Sequence, residues 1–583
     1  MGTNFHFWRD RPALRHPDFD EPSTDLGLGQ RIRCSASLPL TTLMSDSEPL
    51  DDTPEPTIPT TDTPTHTAAS PFDREDADLI IRTSDGIDFY VHTPVISVAS
   101  HVLDGIISTR MGIITDPDGK QVLRLPEKSD TIEPLLKLCY PVPRTPLRSL
   151  RQIRDVLNAA TTYDIRVIGE MLETRLVSYA EQFPLQVYAI ACRNNLADVA
   201  RTAADYAVRK PFWETYHRDI EYITAGAYWR LLAYYWDIEK KRNQNRKNRR
   251  PKLLWKGSEV PSSLPSTKAP SPFSSYALPP FDETSDGDVV LKSSDGVLFR
   301  AYKVILSLAS PFFRDMFSLP QTDAPPDSTS SGPIIPFTES SDIIDTLLRV
   351  IYPNEDPDLK LVQEIEGVVE AAIKYDMQKC ISVMRKKLIL CASKEPIRVF
   401  MIACKNKLAD VASAAAHLSL RRPILYSFEL GSVVAPFSAL EDITAGSLFR
   451  LIEYQRQCSK VANDLMSDLT WTREDFAWRN KMNDAIVGSC MRCARTALEL
   501  GEEQLHVVGW WYIFYQEIIA MVRQRPCAPL IQESEWLMDK ALVEAAKCEG
   551  CVKDAIHTLR TFRTIVIQHL DKQLAEVKIQ IYV

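Results

Sequence analysis

Long apolar runs are missing from this sequence of 583 residues. Because no run of about 18 apolar residues occurs, no segment is predicted to span a membrane. The N-terminus has no apolar core of a secretory signal, and early acidic residues such as Asp10 and Asp18 argue against a mitochondrial presequence. These absences predict a protein of the cytoplasm, the nucleus or both.

Motifs for catalysis and for phosphate binding are also missing. The sequence has no Gly-rich phosphate loop, no His-Glu-x-x-His and no nucleophile-elbow Ser, and it contains only ten His. The net charge of −9 disfavours nucleic acid and anionic membranes as partners of the whole chain. We therefore expect no enzymatic activity, and we assign no catalytic residue, no cofactor-binding residue, no metal ligand and no cofactor.

The dominant feature is an internal repeat. Residues 78–89 align without a gap with residues 288–299, at an offset of 210 positions. Because shared residues continue over a long stretch, they indicate a duplication. Further matches, at offsets of 212 and then 220, are Tyr140-Pro141 with Tyr352-Pro353, Cys192 with Cys404, and residues 223–226 with residues 443–446.

The repeat predicts five segments. Residues 1–70 are predicted to be a disordered arm, because their last part is dominated by Asp, Glu, Pro, Ser and Thr; Met1 and Met44 stay open as alternative translation starts. Residues 71–240 and 281–460 are predicted to be related domains, each with a helical extension. A basic and then Pro/Ser-rich linker, residues 241–280, separates them. Residues 461–583 have helical spacing and predict a C-terminal α-helical bundle.

Each repeat is predicted to begin with a β-hairpin. Asp85-Gly86 and Asp295-Gly296 each separate two short apolar runs, which favours a type I′ turn with positive φ at both central residues. Ser310-Pro311 supplies an N-cap and a first-turn proline for a helix. A third strand is predicted at residues 122–125 and again at 333–337, followed by helices. The predicted fold class is α+β.

With these residues, each repeat resembles the BTB/POZ domain, a small sheet flanked by a helical cluster. The second repeat has Tyr302 where the family usually has His. The first repeat keeps His92, which in this family is a structural residue at a helix start, but it has Thr93 for Lys and His101 for Pro. Tandem copies with Pro/Ser-rich linkers resemble fungal members. The matching residues of the second repeat are Asp288, Val289, Val290, Asp295, Gly296, Phe299, Lys303, Leu306, Ser310, Pro311, Phe312, Phe313, Met316 and Phe317.

The resemblance implies a scaffold or adaptor that binds other proteins. BTB/POZ domains self-associate or bind partners, and some recruit cullin-type ubiquitin ligases, so a ubiquitin-ligase substrate adaptor with a cullin partner is one option. We also expect the two repeats to associate, preferably within one chain, through apolar helix residues. These residues are Phe312, Phe313, Met316 and Phe317, with Val102, Leu103, Ile106 and Ile107 at the matching positions.

Two C-x-x-C pairs near the C-terminus keep a second class of function open. Cys490 with Cys493, and Cys548 with Cys551, have the spacing of zinc ligands. However, residues 494–547 separate the pairs, and Cys490 and Cys493 fall in a predicted helix, where thiols three apart share one face. A shared zinc site, a redox-active pair and buried structural cysteines are the alternatives.

Two further stretches allow more than one interpretation. The basic cluster at residues 240–252 is typical of three kinds of segment: a nuclear-import signal, a nucleic-acid contact or a solvated linker. An import signal would fit a nuclear regulatory factor. The aromatic run at residues 510–515 is either a binding patch or a helix buried on most sides, and the buried helix is favoured.

Overall fold

The computed structural model describes residues 66–581, apart from residues 111, 117–118, 144–145, 166–168, 246–275, 320–333, 354–356, 430–437, 468, 470, 472–489, 491–492, 494 and 501–502. Most of the predicted disordered arm, most of the basic cluster and most of the Pro/Ser-rich linker lie outside the described residues. Within the described ranges, no helix is both long and apolar enough to cross a bilayer.

The first repeat, residues 66–245, joins a five-stranded sheet to a cluster of helices. The strands are β1 (His66–Thr67), β2 (Leu79–Arg82), β3 (Ile87–Val91), β4 (Ile113–Thr115) and β5 (Gln121–Arg124), in the order β1-β3-β2-β5-β4. The helices are α1 (Thr93–Ala99), α2 (His101–Thr109), α3 (Ser129–Cys139), α4 (Leu150–Thr162), α5 (Gly169–Val177), α6 (Pro184–Arg193), α7 (Ala197–Ala207) and α8 (Ala225–Asn245), with 3-10 helices at Phe212–Glu214 and Arg218–Tyr222. Since β1 pairs with Ile87 and Asp88, the prediction of disorder for residues 1–70 is wrong for residues 66–70.

The second repeat, residues 276–467, has the same order of elements around a three-stranded sheet. Its strands are β6 (Val289–Lys292), β7 (Leu298–Ala301) and β8 (Ile334–Pro336), in the order β7-β6-β8. Its helices are α9 (Lys303–Ala309), α10 (Pro311–Ser318), α11 (Ser341–Ile351), α12 (Val362–Lys374), α13 (Gln378–Cys391), α14 (Pro396–Lys405), α15 (Ala409–Leu418), α16 (Ile424–Glu429) and α17 (Ala445–Ser467), with 3-10 helices at Ser419–Arg421 and Ser438–Leu440. The apolar run at the start of β6 is buried because β6 is the central strand.

The strand pairing of the two sheets agrees residue by residue. β2 and β6 each pair antiparallel with the next strand of the hairpin and parallel with the third predicted strand, β5 or β8. The antiparallel partners are Leu79 with Val91, Ile80 with Tyr90, Ile81 with Phe89 and Arg82 with Asp88, and, 210 positions later, Val289 with Ala301, Val290 with Arg300, Leu291 with Phe299 and Lys292 with Leu298. The duplication seen in the sequence therefore extends to the register of the sheets.

The hairpin turns differ from the prediction. Gly86 and Gly296 have positive φ, 78° and 88°, but Asp85 and Asp295 do not. The N–H of Thr83 donates to the carbonyl of Ile87 at 3.0 Å, so the loop has three residues and ends on a left-handed glycine. The predicted type I′ turn is wrong. The observed turn is a three-residue hairpin loop with a glycine bulge, and in it the Asp85 carboxylate can accept hydrogen bonds from outside the turn.

The aspartate of each turn fastens the hairpin to a helix. Asp85 accepts hydrogen bonds from the backbone N–H and the hydroxyl of Ser129, at 2.9 and 2.6 Å, and Asp295 does the same with Ser341. Because these N–H groups lie in the first turn of α3 and α11, they have no partner within their own helix. The carboxylates therefore cap these helices from the neighbouring hairpin.

Two further contacts hold the helix starts, again in both repeats. The hydroxyl of Ser310 accepts from the N–H of Phe313 and donates to the carbonyl of Tyr375, so the predicted N-cap is confirmed. In the first repeat, the backbone N–H of His92 donates to the Tyr140 hydroxyl at 2.7 Å, directly before α1. His92 thus lies at a helix start, as the resemblance implies.

The two repeats contact each other within the chain through their helical extensions. Thr224 and Thr444 form an antiparallel bridge between them. The N–H of Ala225 donates to the carbonyl of Ile443, and the N–H of Ala445 donates to the carbonyl of Ile223, both at 2.8 Å. Ala225 and Ala445 are the first residues of α8 and α17, so each repeat supplies the acceptor that the other repeat's helix lacks.

Side chains repeat this exchange. Glu441 binds Arg230 and the Thr224 hydroxyl of the first repeat, and the equivalent Glu221 binds Arg450 and the Thr444 hydroxyl of the second. Each glutamate also lies beside the N-terminus of the opposite helix, where the helix dipole favours a negative charge. A Cβ atom on Gly226 would lie 2.0 Å from Glu441, and one on Gly446 would lie 2.0 Å from Glu221, so glycine gives each carboxylate its space.

This contact uses a different surface from the one predicted. Association within the chain is present, but the matching Phe313 and Leu103 are buried inside their own repeats, while Phe312 and Val102 are exposed. The prediction that these apolar helices join the repeats is therefore wrong. The extensions supply the contact instead, with ring pairs such as Trp229 with Phe428.

The C-terminal segment contains two strands that the sequence analysis did not predict. It contains the antiparallel hairpin of β9 (Arg495–Leu500) and β10 (Glu503–Val508), followed by α18 (Gly509–Gln524), α19 (Ala528–Glu533), a 3-10 helix at Glu535–Met538, α20 (Asp539–Ala545) and α21 (Val552–Glu576). The predicted α-helical bundle at residues 461–583 is therefore wrong for this hairpin. The segment packs on α17, where the Tyr515 hydroxyl donates to the carbonyl of Met466.

The turn of the second hairpin provides a stability test. We expect Gly296→Val to lower the free energy of unfolding by about 1 kcal/mol or more, because a β-branched residue opposes positive φ. Gly296→Asn is the matched control and should cost less, since Asn tolerates the left-handed region. Thermal unfolding of the full chain measures both variants, and an equal loss from Val and Asn would contradict this account of the turn.

The two glutamates of the contact between repeats are predicted to differ in importance. The side chains of Arg450 and Glu221 are 10% and 24% exposed, whereas those of Arg230 and Glu441 are 38% and 48% exposed. Glu221→Gln should therefore cost about 2 kcal/mol, since it leaves a buried guanidinium with a neutral partner. Glu441→Gln should cost less than about 1 kcal/mol because water screens that pair. Chemical denaturation checks the order, and a larger loss from Glu441→Gln would refute it.

Candidate metal centre and interaction surface

The four C-terminal cysteines come from two turns. Cys490 and Cys493 lie just before β9, and the structure assigns neither of them to a helix, which corrects the helix predicted there. Cys548 and Cys551 lie in the turn between α20 and α21, and Cys551 is the N-cap residue of α21. The N–H of Cys551 donates to the carbonyl of Cys548 at 3.1 Å, so the second pair is part of a tight turn.

These two turns bring all four thiols together. The Sγ atom of Cys490 lies 3.5 Å from that of Cys493 and 3.4 Å from that of Cys548, and the Sγ atoms of Cys493 and Cys551 are 3.5 Å apart. All four sulfurs lie within 4.8 Å of one another. A disulfide needs a separation of about 2.05 Å, so the four cysteines form one cluster without a disulfide bond.

The surroundings of Cys493 and Cys551 disfavour the thiolate form of these two residues. Burial, followed by hydrogen bonds among the neighbouring thiols, raises the pKa of Cys493. Burial also raises the pKa of Cys551. Four thiolates this close would repel one another, and a divalent cation reverses that balance. The cluster can therefore take a proton on each sulfur or share a cation.

Trp510, at the start of α18, has the opposite effect from burial on the pKa of Cys551. Its indole N–H lowers the pKa of the Cys551 thiol, although burial outweighs it. Trp510 Nε1 is buried and completes no hydrogen bond within the described part of the chain.

The rest of the aromatic run belongs to the core. Trp510, Trp511, Phe514 and Tyr515 are buried, and the Trp511 ring packs 4.9 Å from that of Phe562 on α21. The favoured interpretation, a helix buried on most sides, is confirmed. Of the basic cluster, the described Lys241 and Arg242 lie in α8 and form ion pairs with acidic residues of that helix.

An exposed apolar surface repeats on the first two helices of each repeat. We call it the helix-pair surface: Val98 and Val102 in the first repeat, and Val304, Leu308 and Phe312 in the second. Val98 and Leu308 occupy matching positions and are 87% and 84% exposed. Val304 and Leu308, four residues apart, share one face of α9. Such exposure of large apolar side chains is typical of an interaction site.

Sequence reasoning assigned no site residue and left the four cysteines open; the structure brings all four together. The sequence did not predict that the helix-pair surface is exposed, because the same helices were expected to form the contact between the repeats. It also missed Glu221 and Glu441. The signal was there, since both glutamates and their arginine partners obey the offset of 220 seen at residues 223–226.

Comparison with known families identifies one of the modules. The family model of the BTB/POZ domain matches residues 279–391, which include β6 to α13 and the second helix-pair surface. No curated protein matches the chain. BTB/POZ domains mediate protein–protein interaction and self-association, so this region is a protein-interaction domain.

The aromatic run yields a test of its role in the core. Trp511→Ala should lower the free energy of unfolding of the C-terminal segment by about 3–5 kcal/mol, because it leaves a large cavity against Phe562. Gln516→Ala, on the exposed side of the same helix, is the control and should change it by less than about 0.5 kcal/mol. Hydrogen exchange of α18 and α21 measures both, and equal protection in the two variants would argue against a core role.

Proposed function

We propose that this chain is a non-enzymatic adaptor that binds partner proteins through two BTB/POZ domains in tandem, in the cytoplasm or the nucleus. The family match supports this directly for the second repeat. For the first repeat, the support is the shared sheet register, the shared turn aspartate and the shared helix starts. An adaptor needs two binding surfaces held at a fixed spacing, and a duplicated domain provides them.

The observation that carries the proposal is the repetition of the helix-pair surface. Its two most exposed residues, Val98 and Leu308, are equivalent in the duplication, and neither is used in the contact between the repeats. Since that contact is made by the helical extensions, both surfaces stay accessible in the paired arrangement. Two partners, or two copies of one partner, can then be held by one chain.

A ubiquitin-ligase substrate adaptor is the narrower form of this proposal. One repeat would bind a cullin-type scaffold and the other a substrate, which the sequence differences between the repeats support. Phe312 in the second repeat corresponds to Val102 in the first, so the two surfaces differ in shape and would select different partners. Tandem domains of the fungal type fit the same role.

A second candidate, a zinc- or thiol-dependent protein, is favoured by the cysteine cluster. However, four protein thiols close a tetrahedral coordination shell and leave no position for a substrate. The cluster therefore favours a structural role within the adaptor. A nuclear regulatory role has no comparable support among the described residues.

Charge placed on the helix-pair surface tests the proposal. We expect Leu308→Asp to lose partners that the full chain captures by proximity labelling in its native host, because a carboxylate cannot enter an apolar interface without a large desolvation cost. Leu390→Asp is the matched control: Leu390 lies in the same repeat, is 74% exposed and is not part of this surface.

Val98→Asp should remove a different set of partners if the repeats bind different proteins. An identical set of labelled proteins for the wild type, Leu308→Asp and Val98→Asp would refute the helix-pair surface as the binding site. Loss of the same partners from Leu390→Asp would point to misfolding and would also count against it.

A further inference from the structure

We propose that Cys490, Cys493, Cys548 and Cys551 together bind one zinc ion, which fastens the β9–β10 hairpin to the turn between α20 and α21. This site is independent of the proposed adaptor function. It joins two turns that residues 494–547 separate along the chain, so it closes the C-terminal segment on itself.

The geometry of the sulfurs is the first argument. In a tetrahedral site with Zn–S distances of about 2.3 Å, neighbouring sulfurs are about 3.8 Å apart. The three separations of 3.4 to 3.5 Å and the upper limit of 4.8 Å bracket that value. If each sulfur moves outward by a few tenths of an ångström, the distances between neighbouring sulfurs match those of a tetrahedral zinc site.

The arrangement is also specific to these four residues. Among the residues that the structure describes, this is the one group of three or more His, Cys, Asp or Glu side chains that could hold a metal ion. The other described cysteines, among them Cys391 and Cys458, lie outside the cluster. Packing of small apolar side chains does not require two C-x-x-C turns to converge, whereas a shared ion does.

The ligand set selects the metal. Four thiolates are soft donors, which disfavours magnesium and calcium because those ions take oxygen ligands. Zinc is the usual ion in a closed four-cysteine site, and iron is the competitor with the same geometry. We assign zinc because the closed set suits a structural ion without redox chemistry.

A cation lies beside one of the two turns. Four thiolates and Zn²⁺ carry a net charge of −2, and the Arg495 guanidinium, which donates to the carbonyl of Cys490, offsets part of it. Cys493 and Cys548 line a cleft together with Lys547, Glu544 and Glu549, and Lys547 is ion-paired with Glu544. The same cleft gives an ion access to the sulfurs from the surface.

The fold also shows what the ion would stabilise. An isolated two-stranded hairpin is only marginally stable, and within the described part of the chain β9 pairs with β10 alone. Zinc at its base would hold the hairpin against α20 and α21, and hence against the core that docks on α17. Loss of zinc should loosen the hairpin and leave both repeats folded.

Metal analysis of the full chain tests the inference. Protein purified from zinc-replete cells should contain about one zinc per chain and no stoichiometric iron, as one closed tetrahedral site requires. Cys548→Ser and Cys493→Ser should each reduce the zinc content several-fold. Cys391→Ser, which removes a half-buried thiol outside the cluster, should leave it unchanged.

Cobalt exchange keeps the test decisive if a cysteine variant fails to fold. Wild-type chain that is stripped of metal and titrated with Co²⁺ should develop thiolate-to-cobalt charge-transfer bands and tetrahedral visible bands that saturate at one equivalent, and zinc should displace them. Wild type without bound metal and without these bands would overturn the proposal. Stoichiometric iron, or disulfides within the cluster found by mass spectrometry under reducing purification, would also overturn it.

Discussion

The reciprocal contact between the two repeats determines how the rest of the molecule is arranged. The first N–H group of α8 and that of α17 have no acceptor within their own helices, and each finds one in the other repeat. Glu221 and Glu441 reinforce this exchange at the same helix ends. Each repeat contributes equivalent residues to the contact. The contact is therefore self-complementary, like the interface of a symmetric dimer, but both partners belong to one chain.

This pairing also determines which surfaces of the two repeats stay exposed. It occupies the helical extensions, so the helix-pair surfaces face outward, and α17 can serve both as a contact helix and as the base on which the C-terminal segment docks. The cysteine cluster lies in that segment. The molecule therefore consists of two repeats in contact, each with an exposed helix-pair surface, and a C-terminal segment that a metal ion would stabilise.

Local chemistry made much of this fold predictable from sequence. The hairpins, the Ser310 cap and the third strands depend on adjacent residues, and the duplication showed each signal twice. The β9–β10 hairpin was not predictable, because Ala, Leu and Glu in Arg495–Leu500 favour a helix and only tertiary packing makes them a strand. Likewise, the spacing within each cysteine pair was visible, but the fold alone brings the two pairs together.

Hydrogen exchange at two amides tests the central claim most directly. The N–H groups of Ala225 and Ala445 can be protected only by the carbonyls of the opposite repeat, since first-turn amides have no partner within their own helix. The account predicts slow exchange at both amides in the full chain, with protection comparable to that of the buried strands β2 and β6. Exchange at both amides as fast as in exposed turns, while the strands stay protected, would show that the repeats are not paired.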